Sequence, residues 1–371
     1  MVTILQRDAL RNKVERESNG QQTVLYTQKG QPSYMNIIPM LRCEDLGDDL
    51  GQGPHPAFIV NDKVCDALFY GSYNGVIKDG ELVSQPGLEP GAYIDFDTAV
   101  QVARANGQGW HLSTNAERAL LMLWCQQQGW QQYGNTENGH CVVDPSQHGQ
   151  RIDHGFLDYP DGNPATYTGS GPQHWRHDHS PYGIADLCGN IWEWQAGLRL
   201  VDGEIQIIAD NNASHADVSV HSKAWMAVNL IDGNLVAPGH ALSSKYDAAE
   251  LKPEGNAGTP ILNTEIIHRA GPIADNINAA GLMDGLFREI SVHPSISSEV
   301  PPLLRALGLA PRANLKNDAQ VYLRNYGERM FLAGGAWYSG LGAAYETLCL
   351  SHPRTQRSLT TGARPAFILS P

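Results

Sequence analysis

Tyr182-Gly183-Ile184-Ala185-Asp186-Leu187-Cys188-Gly189-Asn190-Ile191-Trp192-Glu193-Trp194 is the most informative stretch of the chain. A Gly-Asn turn runs directly into two tryptophans with an acid between them. Side chains that large pin a strand into a core, and the turn before them fixes where the strand begins.

Working outward, the elements around this stretch are short. Asp97-Thr98 ahead of Ala99-Val100-Gln101-Val102-Ala103 predicts a helix that stops at Asn106-Gly107. Thr114 and Glu117 have capping-box spacing and open a second helix through Leu120, Leu121, Leu123 and Trp124. A short helix is expected at Pro302–Leu307 before Gly308, strands at 23–27, 67–73, 321–323 and 330–332, and an apolar run at 35–40. The expected division is an N-terminal arm over 1–50, for assembly or oligomerisation, and a main domain over 51–371. That domain carries ordered insertions at about 131–180 and 203–300.

The chain has 371 residues, 42% hydrophobic and 18% charged, which is the composition of a folded protein. With 26 Lys and Arg against 39 Asp and Glu, the formal charge of −13 repels phosphate backbones and anionic membranes, so no nucleic-acid partner is expected. The first residues lack a basic segment leading into an apolar one, and no apolar run is long enough to insert into a membrane. The expectation is therefore no signal peptide. Six cysteines, none in a C-x-x-C pair, indicate reduced thiols. His174-Trp175-Arg176-His177-Asp178-His179, near Asp153 and His154, lacks the spacing of a helical zinc pair and is read as a solvated loop. Cys188, amid apolar and glycine neighbours, is read as structural, neither it nor Cys349 is assigned as a nucleophile, and no phosphate loop follows Gly334-Gly335. No catalytic residue, metal or cofactor is assigned.

The stretch at 182–194 resembles the G-L-x-D-M-x-G-N-V-W-E-W signature of the formylglycine-generating-enzyme family, a variant of the C-type lectin fold. Trp110-His111-Leu112-Ser113-Thr114-Asn115-Ala116-Glu117 is similar to that family's R-L-P-T-E-A-E-W segment. Ala333-Gly334-Gly335-Ala336-Trp337 and Gly362-Ala363-Arg364-Pro365-Ala366-Phe367 resemble its R-G-G-S-W and G-F-R ending. The resemblance spans roughly residues 55–371 and implies an α+β, C-type lectin-like fold. Gly189, Asn190, Trp192, Trp194, Gly334, Gly335, Trp337, Gly362 and Arg364 would be its scaffold.

The ending is similar to the variable proteins of diversity-generating retroelements, such as phage tropism determinants, whose C-terminal surface changes by adenine-directed mutagenesis. The resemblance implies a non-enzymatic receptor-binding protein with a variable region at about 333–367. It also implies a protein or cell-surface ligand and a place on a phage tail or other assembly, cytoplasmic before that, with homo-oligomers in keeping. Tyr338, Ser339, Leu341, Gly342, Cys349, Ser351 and His352 are reachable from an AAC codon by changing adenines alone. Tyr345, Thr347, Arg354, Gln356, Arg357, Ser358 and Thr360 complete the expected contact surface. Trp337, Gly340, Leu348 and Leu350 fall at fixed positions, and neither Glu346 nor Gln356 can arise from AAC.

The competing reading is an oxidase of the formylglycine-generating type, whose relatives bind copper through paired C-terminal cysteines. The last third of this chain holds only Cys349, which weighs against a two-thiolate site. No Glu-Pro-Asn or Trp-Asn-Asp triad marks a calcium-dependent lectin, although the long insertions leave room for structural calcium.

Overall fold

The computed structural model describes residues 8–154, 162–251, 256–269, 281–313 and 315–369. The expected arm and both insertions therefore lie partly outside the described residues. Helices and sheets are mixed throughout, as an α+β fold requires.

One antiparallel sheet has five strands in the order Gln22–Tyr26, Pro32–Pro39, Ala67–Gly71, Pro365–Phe367 and Trp110–Leu112. The expectation of an N-terminal arm is corrected here. Leu25, Met35 and Ile38 are buried, and Met35–Pro39 pairs with Ala67–Gly71, so the first hairpin belongs to the sheet. The helix Ala9–Glu17 precedes it, with Asp8 as N-cap accepting a hydrogen bond from the Arg11 amide at 2.9 Å.

The larger sheet is built on Trp192–Val201. This strand pairs antiparallel with Glu328–Ala333 and Glu204–Ile208, and its first residues run parallel to Thr361–Ala363. Leu348–His352 follows Glu328–Ala333, then Gln320–Leu323 and Met283–Leu286. On the other side, Lys245–Asp247, Ile261–Asn263 and Ser291–Val292 extend the sheet from Glu204–Ile208. The described part of 203–300 thus lengthens the main sheet.

Trp192–Val201 carries a bulge, with Gln195 opposite Phe331 and Arg199 opposite Met330. Gly197, at φ 87°, takes the bend, and the Ala196 amide donates to the Ser113 carbonyl at 2.9 Å. This ties the strand to the start of the helix Asn115–Gln128, which is closed by the expected capping box: Thr114 Oγ1 accepts from the Glu117 amide at 3.2 Å and Glu117 Oε2 from the Thr114 amide at 2.9 Å. The other expected helix begins earlier than read. It spans Phe96–Arg104 with Asp95 as N-cap, because Phe96 is itself buried edge-on against Trp194, 6.0 Å between centroids.

Both sheets meet at a buried ion pair. Arg364 and Glu193 are almost wholly buried, with Arg364 Nη2 2.8 Å and Nε 2.9 Å from Glu193 Oε1. The guanidinium also donates to the carbonyls of Gly71 (2.9 Å), Ala185 (3.0 Å) and Asp186 (3.2 Å), and Asn74 Nδ2 donates to Glu193 at 2.6 Å. Removing one partner leaves an uncompensated buried charge. Glu193→Gln should therefore lower the unfolding free energy by about 3–5 kcal/mol in urea titrations; an unchanged midpoint would mean the pair is not the clasp described.

Buried histidines make the fold acid-sensitive, and His55 and His177 are enclosed completely enough to show it. His55 Nδ1 accepts from the Ala57 amide (3.2 Å) and His177 Nδ1 from the Ile184 amide (2.8 Å), and burial pulls both pKa values down to about 4. An unfolded histidine titrates near 6.5, so this stability is complete above that pH and is lost as pH falls toward 4. Lowering pH from 7.5 to 5 should remove about 2 kcal/mol per histidine, and His177→Asn should flatten the pH dependence by one such share.

Candidate ligand-binding surface

The scaffold residues expected from sequence do come together. Gly334 (φ 90°) and Gly335 (φ 81°) turn the chain out of Glu328–Ala333, and a Cβ on Gly334 would stand 2.9 Å from the Leu187 carbonyl oxygen. The fully buried Trp337 is then held by its backbone, its amide donating to the Asn190 carbonyl (3.1 Å) and its carbonyl accepting from Asn138 (2.7 Å).

Asn190 sits in the left-handed region at φ 62° after Gly189 at φ 74°. Its side-chain oxygen accepts from the Thr166 amide at 2.8 Å, and its amide donates to Asn74 Oδ1 at 3.1 Å. A Cβ on Gly362 would strike the Gly91 carbonyl. Trp194 is buried and donates to the Ile94 carbonyl at 3.0 Å. Trp192 reaches the surface layer: its Nε1 donates to the Tyr338 hydroxyl at 3.2 Å, and its ring lies edge-on to Tyr322 at 6.0 Å.

The expected contact surface divides in two. Tyr338 (55% exposed), Leu341 (58%) and Arg357 face outward, with Ser339, Gln356 and Ser358 partly open. Gly342, Tyr345, Thr347, Cys349, Ser351, Arg354 and Thr360 are buried, which corrects their reading as contact residues.

Each buried position has a local cause. A Cβ on Gly342 would press on Gln320 Cγ at 2.5 Å. The Tyr345 ring lies under the Arg118 guanidinium at 5.8 Å. Thr347 Oγ1 donates to the Gly342 carbonyl at 2.6 Å and accepts from the Ala344 amide at 2.8 Å. Cys349 and Ser351 lie on a strand flanked on both edges, with Cys349 facing the core that holds Trp192 and Trp194. Arg354 pairs with Glu328 (2.8 Å) and Asp97 (2.5 Å), and the Thr360 hydroxyl meets that of Ser358 at 2.9 Å. His352 is largely enclosed, and burial pulls its pKa to about 4.

Sequence reasoning missed Tyr93, which is 61% exposed and adopts φ 61°. Its amide donates to the Ser358 carbonyl at 2.9 Å, and the neighbouring Asp95 pairs with Arg357. The signal available was only Gly91 two residues earlier. Leu359, 48% exposed, adds to the same face.

Beside Leu341 opens a cavity of about 1020 Å³, lined in part by Trp130, Gln132, Tyr133 and Glu346. Glu346 is buried and accepts from the side-chain amides of Gln126 (2.8 Å) and Gln132 (2.9 Å), a role that gives this position a structural reason to stay fixed. All six cysteines are free and buried. Burial pushes the Cys43 thiol up to about 11 and raises the Cys125 and Cys188 thiols well above the usual range, which holds them protonated at neutral pH.

Among the described residues, no group of three or more His, Cys, Asp or Glu is placed to hold a metal ion, and no helix is long and apolar enough to cross a membrane. No protein-family model matches the sequence, and no curated protein matches it either.

The division between outward and buried positions is testable by substitution. Tyr338→Ser and Leu341→Ser should each shift stability by no more than about 0.5 kcal/mol, whereas Tyr345→Ala should lose about 3–5 kcal/mol in chemical denaturation.

Proposed function

We propose that this chain is a non-enzymatic ligand-binding protein on a C-type lectin-like fold of the formylglycine-generating-enzyme type, with a C-terminal surface diversified by a retroelement. The observation that carries the reading is the arrangement of its ending. The left-handed Gly334 and Gly335 and the buried Trp337, Gly362 and Arg364 brace the segment from both ends, while Tyr338, Ser339, Leu341, Gln356, Arg357 and Ser358 reach solvent between them.

This separation suits a surface that changes its contacts without unfolding its support. Tyrosines, a leucine, an arginine and small hydroxyl residues are the mix that gives antibody paratopes contact area and adaptable hydrogen bonds. A protein or other cell-surface ligand is the matching partner. Several copies on a phage tail or comparable assembly would convert weak single contacts into firm attachment.

The test is the encoding locus. The reading predicts a near-copy of the codons for 333–367 close to a reverse-transcriptase frame, differing from this gene only where the copy carries adenines. The differences should concentrate at 338, 339, 341, 357 and 358 and spare 345 and 354. An intact locus without such a copy would sink the proposal.

A further inference from the structure

The histidine-rich segment read from sequence as a solvated loop is split by the fold. His177 turns inward, its ring 5.7 Å from Trp124 and 5.3 Å from Trp130. His174 and His179 stay outside, with ring centroids 5.7 Å apart and the Tyr133 ring beside both, at 6.4 and 5.8 Å.

We propose that His174 and His179 together bind one divalent transition-metal ion of the zinc class. Zinc–imidazole bonds are about 2.0–2.1 Å, which puts a ring centroid about 3.2 Å from the metal and two rings on one ion about 5–6 Å apart. The observed separation falls in that range. His179 Nε2 lies 2.8 Å from the Gln131 carbonyl oxygen, which only accepts, so Nε2 carries the proton and the lone pair is on Nδ1.

A ring held by a carbonyl at one nitrogen with the other free is the arrangement that orients metal-bound histidines. The exposed His174 ring has no hydrogen-bond partner among the described residues. His179 adopts φ 56°, a conformation that places its ring beside His174 at some backbone cost. Two protein ligands leave the remaining positions to water, so imidazole-preferring ions are selected over calcium or magnesium.

The experiment is calorimetric titration of the whole chain with zinc chloride. One ion should bind per chain. His174→Ala and His179→Asn, the latter chosen because asparagine tolerates the left-handed backbone, should each weaken binding at least about tenfold while leaving the metal-free melting temperature unchanged. The nearest competing pair, His140 opposite His148 with rings 6.1 Å apart, supplies the control, and His140→Ala should bind zinc as the parent does. Zinc affinity unchanged in either of the first two variants, lost only in His140→Ala, or absent in the parent up to about 1 mM, would overturn the assignment.

Discussion

The structure turns on one demand: a guanidinium taken wholly out of water must find a charge and enough acceptors at the same point. Arg364 meets it with the Glu193 carboxylate and the carbonyls of Gly71, Ala185 and Asp186. Three distant parts of the chain, around residues 71, 185–193 and 364, are therefore held to one position. The backbone conforms to this need. Asp186 adopts φ 57°, and a Cβ at Gly71 would stand 2.9 Å from the Pro365 carbonyl oxygen and 3.1 Å from Arg364 Cγ. Such pairs add little net stability over an apolar filling, and their stronger effect is to penalise any arrangement that separates them.

From that point the strand Trp192–Val201 passes the constraint outward. Successive side chains on a strand point to opposite faces, so Glu193 facing Arg364 sends Trp192 and Trp194 the other way. Trp194 anchors the helix Phe96–Arg104, and Trp192 holds the Tyr338 hydroxyl. The element that completes the ion pair thus also sets the inner boundary of the exposed aromatic face. Segment 91–97 is stapled to 354–362 by the Tyr93–Ser358 and Phe96–Arg354 backbone hydrogen bonds and by the acid–arginine pairs beside them. Residues far apart in sequence share one rim.

Local interactions were legible in the sequence and non-local ones were not. The capping box at Thr114 and Glu117 involves four consecutive residues, and its pattern is complete in the sequence. The turn residues Gly189, Asn190, Gly334 and Gly335 declare their left-handed conformations by type. The strand Leu348–His352 gives no comparable sign. Its alternation suggests one buried and one open face, but Leu348 and Leu350 pack into one core and Cys349 into another. Both faces are covered because the sheet lies between two cores, and that is set by tertiary packing rather than by the strand's own residues. The hairpin at 22–39 was likewise read as an arm because its partner, Ala67–Gly71, lies beyond a polar stretch that looks like a boundary.

The placement of Pro365–Phe367 between Ala67–Gly71 and Trp110–Leu112 has a consequence for biosynthesis. Phe367 pairs with Phe69, 298 positions earlier, since 367 − 69 = 298. At about 5–20 residues per second, a ribosome leaves the inner edges of both flanking strands without their partner for roughly 15–60 s. During that interval Leu68, Tyr70 and Trp110 cannot reach their final packing, and an open strand edge invites pairing with other chains. Through that interval the nascent chain needs protection that the finished fold supplies for itself.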